Sequence, residues 1–350
     1  MKFNYKYLLL ASILAFSFYG CIDELNIDTE ERRNILVVEG GITSDFGPHQ
    51  ITLTKSAKYG SILEDNITRE ENATVWLRNE LGDQVFLTEG SSGTYFTPAD
   101  FKAKVGSDYT LSITLANGER YVSSKERVVP VPEIDSVVVV WKKQPSLSDV
   151  QFDSGMEIYS QWNDPEDEQN FYSWRISGVY KINTRPDLHV GRNGFGNPFP
   201  DPKDCCAECY IYESLGGLNI FKDNLTNGNQ ITQRVGYIED DGGRFMNRYM
   251  VILEQRSLTK SAFQFFDLLQ NQLSIQGNIF DPPPAQIGTN IINLDNPDED
   301  VIGYFTASDV SRDSVFIDNG QIIESQPVRQ VNDDCRVLEG ATIEVPPFWN

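Results

Sequence analysis

Few side chains in this 350-residue chain could serve as a catalytic base near neutral pH, because it contains only two histidines. His49 lies in a predicted turn, GPHQ, and His189 lies in a segment rich in glycine and proline. Serine and cysteine nucleophiles ordinarily require a histidine within hydrogen-bonding distance. We interpret both histidines as surface residues, so the sequence disfavours Ser-His-Asp and Cys-His catalysis.

Acidic side chains, by contrast, are abundant, with 51 aspartates and glutamates. Two carboxyl groups held about 5–9.5 Å apart across a cleft could hydrolyse a glycosidic bond, but spacing singles out no pair. Calcium needs about six to eight oxygen ligands, and EF-hand loops supply acidic residues at alternating positions around a glycine. No acidic cluster shows that spacing; the weak candidates for a cation are Asp295, Asp298 and Asp300. We therefore expect neither a metal nor another cofactor.

The N-terminus has the layout of a secretory signal peptide. Lys2 and Lys6 precede an apolar run over residues 8–18, which is too short for a membrane-spanning helix of about 20 residues. The stretch FYGC, residues 18–21, resembles a lipobox, which predicts cleavage after residue 20 and acylation of Cys21, with palmitate among its chains. The acidic residues that follow Cys21 resemble a surface-export signal. Residues 21–33 then form a charged, lipidated tether, and we expect an outer-membrane protein exposed at the cell surface.

Composition limits the classes of partner. Removal of residues 1–20 takes away two lysines and no acidic residue, leaving 27 basic and 51 acidic residues and a net charge of −24. Nucleic-acid binding requires a basic face, so this charge argues against nucleic acid as a partner. It also disfavours electrostatic attraction to an anionic membrane surface.

Residues 34–129 are typical of an immunoglobulin-like β-sandwich, because short alternating strands follow one another between turns. In YTLSITLANGERYVSS, apolar residues from Tyr109 to Leu115 alternate with polar ones, and Asn117-Gly118 predicts a hairpin turn. The proline-bearing stretch 128–135 predicts a link between modules. We place the domain boundary there.

Residues 130–350 predict a larger β-rich domain with one amphipathic helix, so the whole chain should be mainly β. The helix follows Thr259, a plausible N-cap, and its predicted apolar face comprises Ala262, Phe265, Phe266, Leu269 and Leu273. Residues 183–204 contain many glycines and prolines without periodicity, which predicts a long loop. Asp-Ser-Val occurs twice and resembles an O-glycosylation site, which makes Ser136 and Ser314 candidates, although a chance match within a strand is the better explanation of so short a motif.

Four cysteines remain besides Cys21. Cys205, Cys206, Cys209 and Cys335 could supply four thiolates to zinc, but their spacing differs from standard zinc motifs, and an exported location favours disulfides. Because three of them lie within five residues, at most one long bridge can form, and it must involve Cys335.

An ordered series of stretches in the second module resembles the Bacteroidota lipoprotein family catalogued as domain of unknown function 4249. The stretches are CYIYESLGGLNIF (209–221), NRYMVILEQRSLTKSAFQFFDLL (247–269), GNIFDPPPAQIGTNIIN (277–293), VIGYFTASDVS (301–311) and DCRVLEGATIEVPPFW (334–349). With the N-terminal sandwich, the resemblance covers nearly all of the mature chain. Relatives commonly carry Cys-x-x-Cys where this chain has Asn332-Asp333-Asp334-Cys335.

The resemblance implies three expectations. Cys209 and Cys335 open two matching stretches, which implies a Cys209–Cys335 disulfide that returns the C-terminal tail to the sheet, where Phe348 and Trp349 should pack. Members of the family are thought to accompany TonB-dependent outer-membrane β-barrels, which implies such a partner. We expect a non-catalytic binding protein for an unknown ligand in nutrient uptake; the alternatives are a carboxylate-based hydrolase and a structural or adhesive spacer.

Overall fold

The computed structural model describes residues 35–56, 68–145, 152–166, 168–224, 226–274 and 287–349. The predicted signal peptide, the tether and Cys21 lie outside these residues. The described chain is mainly β-strand and contains one α-helix, as the sequence predicts. None of its helices is long and apolar enough to cross a membrane.

The first module is a sandwich of two sheets. Before residue 130 the chain contributes β1 (Leu36–Thr43), β2 (Gln50–Lys55), β3 (Thr68–Arg69), β4 (Thr74–Asn79), β5 (Gln84–Phe86), β6 (Thr88–Ser91), β7 (Thr94–Phe96), β8 (Asp108–Thr114), β9 (Arg120–Ser123) and β10 (Glu126–Arg127). The alternation predicted for β8 places Tyr109, Leu111 and Ile113 in the core. Gly118 has φ +94° at the predicted hairpin turn, a conformation that glycine adopts without strain.

The second module is also a sandwich. Its strands are β11 (Ile134–Pro145), β12 (Phe152–Asn163), β13 (Phe171–Asn183), β16 (Glu208–Lys222), β17 (Gln230–Glu239), β18 (Tyr249–Ser257), β21 (Val310–Ile317) and β22 (Ala341–Thr342). One sheet has the order β11-β12-β17 and the other β21-β18-β13-β16-β22. Buried side chains from both sheets form one core around Trp162, Tyr172 and Trp174, all of which are at most 3% exposed.

The two modules exchange chain, so the segment 34–129 does not contain the whole first sandwich. Two later strands, β19 (Ile291–Asn293) and β20 (Ile302–Ser308), complete its two sheets. β20 runs parallel to β1, with Gly41 opposite Thr306. Only Asp309 separates β20 in the first sandwich from β21 in the second. The predicted boundary near residue 130 assigns β19 and β20 to the second module, whereas their hydrogen-bonded partners lie in the first.

The helix α1 (Lys260–Leu273) begins where the sequence predicts, and the Thr259 hydroxyl accepts a hydrogen bond from the amide of Ala262. Its buried residues are Ala262 and Phe263, which pack with Phe171 and Tyr304 between the modules. The predicted apolar face omits Phe263 and includes Leu273, which is 71% exposed. In the last turn, the Gln270 side chain donates a 2.6 Å hydrogen bond to the carbonyl of Leu218 on β16, while Leu273 points to solvent.

The glycine-rich segment 183–204 is not a plain loop. It contains a 3₁₀ turn at Pro186–Leu188 and a hairpin of β14 (Val190–Arg192) and β15 (Pro198–Pro200). At the C-terminus, Trp349 packs against Tyr210 and Phe316 with ring centroids 5.1 and 5.6 Å apart. Phe348 is 36% exposed, so only one of the two predicted tail aromatics is packed.

Candidate functional site

Three neighbouring strands of the second sandwich carry a row of charged side chains. Arg175 on β13 lies opposite Glu254 on β18, and Glu254 lies opposite Arg312 on β21. Successive residues of a strand point to opposite faces of the sheet. Their neighbours Trp174 and Gln255 are buried and joined by a 2.9 Å hydrogen bond, so the charged row occupies the outer face.

Glu254 is the centre of this row. One of its carboxylate oxygens accepts from Arg256, two residues along β18. The other accepts from Arg312, whose Nε lies 2.8 Å away. Arg312 also forms an ion pair with Asp45, which belongs to the first sandwich. The row therefore links the two modules through charge.

The opposite wall of the site comes from β1, β2 and the connection between them. Ser44 donates a 2.5 Å hydrogen bond to Oδ1 of Asp309, the residue between β20 and β21. Oδ2 of Asp309 accepts from the amide of Val131, 3.0 Å away in the predicted link. One carboxylate thus fixes the β1–β2 connection, the link and the β20–β21 junction in relation to one another.

Between these walls lies a cleft of about 570 Å³. Its lining is largely polar: the arginine row faces Glu39, Asp45, His49 and the hydroxyl and amide groups of Thr43, Gln50 and Thr52. Its volume lies within the range of about 300–1,000 Å³ that is usual for small-molecule sites, but its lining is more polar than that of most such sites.

Two charges in the cleft have no ion-pair partner among the described residues. Arg175 is exposed and lies beside Glu254, whose two oxygens already bind Arg256 and Arg312. Glu39 is exposed on β1. The other charged groups, Asp45 included, are neutralised in the network, so Arg175 is the cation available to a ligand.

The network keeps its charged groups ionised. Burial raises the pKa of Glu254, but Arg256 and Arg312 outweigh burial and hold the pKa below its ordinary value. Burial lowers the pKa of Arg256; the Glu254 carboxylate opposes this, while the positive charge of Arg175 adds to the lowering. A carboxyl group with a lowered pKa is a poor general acid. The arrangement is suited to holding a ligand by charge and hydrogen bonds.

The histidines are less exposed than the sequence suggests. His49 is half-buried in the cleft, its Nε2 has no hydrogen-bond partner among the described residues, and burial lowers its pKa. His189 lies outside the cleft, with Nδ1 2.8 Å from the carbonyl oxygen of Asp201 and Nε2 3.5 Å from Asp333. Asp333 also binds Lys203 at 2.5 Å, so this cluster fastens the β14–β15 hairpin to the C-terminal segment.

The structure brings Cys209 and Cys335 together. Their Sγ atoms lie 2.10 Å apart and their Cα atoms 5.8 Å apart, which are disulfide distances. Cys205 and Cys206 lie at bonding distance of each other. Together with Asp334 they also form a group whose ligand atoms lie within 4.8 Å. Asp334 is bound by Arg336, however, and two cysteines bonded to each other offer no thiolate to a metal.

The remaining sequence candidates are scattered. The Asp295 carboxylate accepts two hydrogen bonds from Arg120, one from Nη2 of the side chain at 2.6 Å and one from the backbone amide at 2.9 Å. Asp298 and Asp300 are exposed in the same turn, and the described structure does not group the three as a cation site. Ser136 on β11 donates a 2.7 Å hydrogen bond to Gln161, whereas Ser314 on β21 is exposed.

Glu126 is a buried carboxyl group that the sequence does not distinguish. It is 1% exposed and accepts hydrogen bonds from Tyr304 (2.6 Å), Thr259 (2.7 Å) and Asn290 (3.2 Å). No cation pairs with it among the described residues, and burial raises its pKa. The position of Glu126 between α1 and the first sandwich makes it a packing residue.

Comparison of the sequence with known protein families gives one match. The family model described as Domain of unknown function (DUF4249) matches residues 22–314. The chain belongs to this family. The match begins just after Cys21 and ends within β21, so it does not include β22 or the C-terminal segment. None of the curated proteins compared with the chain matches it.

The sequence gives no local sign of the row formed by Arg175, Glu254 and Arg312. Its members come from WRI, LEQRS and VSRDS. In WRI the arginine stands between two apolar residues, which indicates an outward-facing position and nothing more, whereas the charged residues of LEQRS and VSRDS have polar neighbours as well. Only strand pairing brings the three segments side by side.

Proposed function

We propose that this protein is a lipoprotein of the outer-membrane surface that binds a small ligand without transforming it. In this proposal it acts as an accessory component of a TonB-dependent transporter in nutrient uptake. The observation that carries the binding role is the polar cleft between the two sandwiches, which contains Arg175 without an ion-pair partner among the described residues.

The chemistry of the cleft supports binding over hydrolysis. A carboxylate-based hydrolase needs one carboxyl group with a raised pKa to protonate the leaving group. Glu254 has a lowered pKa because two arginines bind it. Burial raises the pKa of Glu126 and of Asp223, but both are almost fully buried and lie outside the cleft.

The membrane location rests on the N-terminal sequence. A short apolar run, a glycine at position 20 and Cys21 support cleavage and acylation, and acidic residues after Cys21 support export to the surface. More than one acyl chain gives stable anchoring. The partner rests on the family resemblance: a transporter barrel would receive the ligand that the cleft holds.

The location is tested first. Whole cells expressing the full chain are treated with protease, and the lipoprotein is followed beside a periplasmic marker. We expect degradation of the lipoprotein while the marker stays intact; equal protection of both contradicts surface exposure. Cys21→Ala should release the protein from membranes, and continued membrane association would contradict lipid anchoring.

The partner is tested by purification of the tagged full chain from outer membranes in mild detergent. We expect an outer-membrane β-barrel to co-purify in a defined ratio. The Cys21→Ala variant, expressed at the same level, controls for binding after lysis. Recovery of the lipoprotein alone would refute the partnership.

A further inference from the structure

We propose that the ligand of the cleft is a small hydrophilic molecule with a carboxylate or phosphate group, and that Arg175 binds this group. The inference rests on the proposed binding function and specifies the class of ligand. It uses three properties of the cleft: a cation without an ion-pair partner among the described residues, the rigidity of the charged groups around it and a hydrogen-bonding lining.

The first property is the electrostatic state of Arg175. Glu254, its cross-strand neighbour, is bound by two other arginines, so it has no oxygen left without an arginine partner. A guanidinium group presents a planar fork of donors that matches carboxylate and phosphate oxygens. Charge-assisted hydrogen bonds of this kind are about twice as strong as neutral ones.

The second property is rigidity. Arg256 and Arg312 are held by Glu254, and Arg312 is held by Asp45 as well. The charged groups around Arg175 are therefore fixed before a ligand arrives. Binding to fixed groups costs less conformational entropy than binding to mobile side chains.

The third property is the lining next to the arginines. Thr43, Gln50 and Thr52 line the same cleft, and the Gln50 amide donates a 3.0 Å hydrogen bond to the Thr52 hydroxyl. These groups exchange hydrogen bonds with hydroxyl or carbonyl groups and offer little apolar contact. They favour a hydrophilic ligand body, such as a sugar acid or a sugar phosphate.

Glu39 sets the orientation of such a ligand. It is a second charge without an ion-pair partner among the described residues, and it lies on the wall formed by β1. A carboxylate or phosphate group is repelled there and attracted to β13. Removing the charge of Glu39 should therefore strengthen binding of an anion, whereas removing the charge of Arg175 should weaken it.

The experiment is isothermal titration calorimetry on the full chain in detergent at low ionic strength. Glucose, glucuronate and glucose 6-phosphate share a ring and differ in the group at carbon 6; citrate and inorganic phosphate test anions without the ring. We expect saturable binding of at least one anion and none of glucose. Arg175→Gln should weaken that binding about tenfold or more, because a hydrogen bond to a charged group is lost. Added salt should also weaken it.

Two further variants separate charge from structural damage. Glu39→Gln should strengthen anion binding, the opposite direction to Arg175→Gln. Arg78→Gln, at another exposed strand arginine without an ion pair among the described residues, should leave it unchanged. Comparison of glucuronate with glucose 6-phosphate then identifies carboxylate or phosphate as the preferred group.

The outcomes distinguish this inference from the proposed function. Absence of saturable binding by all four anions, binding insensitive to Arg175→Gln, or weakening by Glu39→Gln overturns the anion inference. If glucose binds the unaltered chain and the Arg175→Gln variant with equal affinity, the anion inference is also overturned, but a ligand-binding function remains. Failure to recover a barrel refutes the transporter role whatever the calorimetry gives.

Discussion

Loss of the Cys209–Cys335 bridge should destabilise the second module strongly. The two residues are 126 positions apart in sequence, and both are fully buried. In the chain-entropy model, a bridge closing a loop of that length lowers the entropy of the unfolded chain enough to stabilise the fold by about 5 kcal/mol. Domains are commonly stable by only about 5–15 kcal/mol. The bridge would therefore account for a large share of the stability.

The vicinal pair is removed so that the contribution of the long bridge can be measured alone. Cys205 and Cys206 are adjacent, so a bridge between them encloses almost no chain and should contribute about 1 kcal/mol in the same model. Urea unfolding is measured on the full chain carrying Cys21→Ala, Cys205→Ala and Cys206→Ala, oxidised and reduced. In this background the covalent difference between the two forms is the long bridge alone.

Two results would refute this reasoning. The first is an equal free energy of unfolding for the oxidised and reduced forms. The second is a different pairing in the unaltered chain: cleavage after Glu208 by a Glu-specific protease separates Cys206 from Cys209, so peptide mapping shows which one is bound to Cys335. The backbone brings both within reach, since the amide of Cys335 donates a 2.9 Å hydrogen bond to the carbonyl of Cys206.

Three other predictions concern packing and buried charge. Glu126→Gln should raise the free energy of unfolding at neutral pH and flatten its pH dependence, both measured by urea titration. The pKa of Glu126 is higher in the folded than in the unfolded chain, so the stability that Glu126 contributes is fully present below the unfolded pKa and is lost as the pH rises through the folded pKa. Gly178→Ala should cost about 3 kcal/mol, because the new methyl group would overlap the hydroxyl of Tyr249, whereas Gly216→Ala meets no atom within 4 Å; equal thermal shifts for the two would contradict this packing. Asp309→Ala should cost about 2–3 kcal/mol by leaving donors at the module junction without an acceptor, and chemical unfolding at an unaltered midpoint would show that the junction is not built on this carboxylate.

Local features of the fold follow from local sequence. Alternation places Tyr109 and Trp174 in the cores, and Thr259 caps the helix because its hydroxyl accepts an amide hydrogen bond. The 183–204 segment shows the limit of composition, since glycine and proline predict a loop there but also suit the turn of a hairpin. Phe263 shows a second limit. A helix wedged between two modules buries a wider face than a helix lying on one sheet.

The candidate site lies beyond local sequence for a different reason. Its arginines are up to 137 residues apart in the numbering, and no spacing rule connects Arg175 with Arg312. Two antiparallel pairings, β13 with β18 and β18 with β21, bring them together. The opposite wall then depends on a third, long-range pairing of β20 with β1. Sequence patterns identify the strands, but register across distant strands determines the cleft.

The pairing of late strands with early ones also tests the alternative hypothesis that the N-terminal sandwich is a spacer. A spacer can be removed without altering a binding site carried by the rest of the chain. Here β20 pairs with β1, and β19 pairs with β9, so deletion of residues 34–129 would leave two strands of the remaining chain without partners. It would also remove Asp45 and one wall of the cleft. The two sandwiches therefore form one structural unit around the cleft, and point substitutions at Arg175 and Glu39 test the site where a deletion cannot.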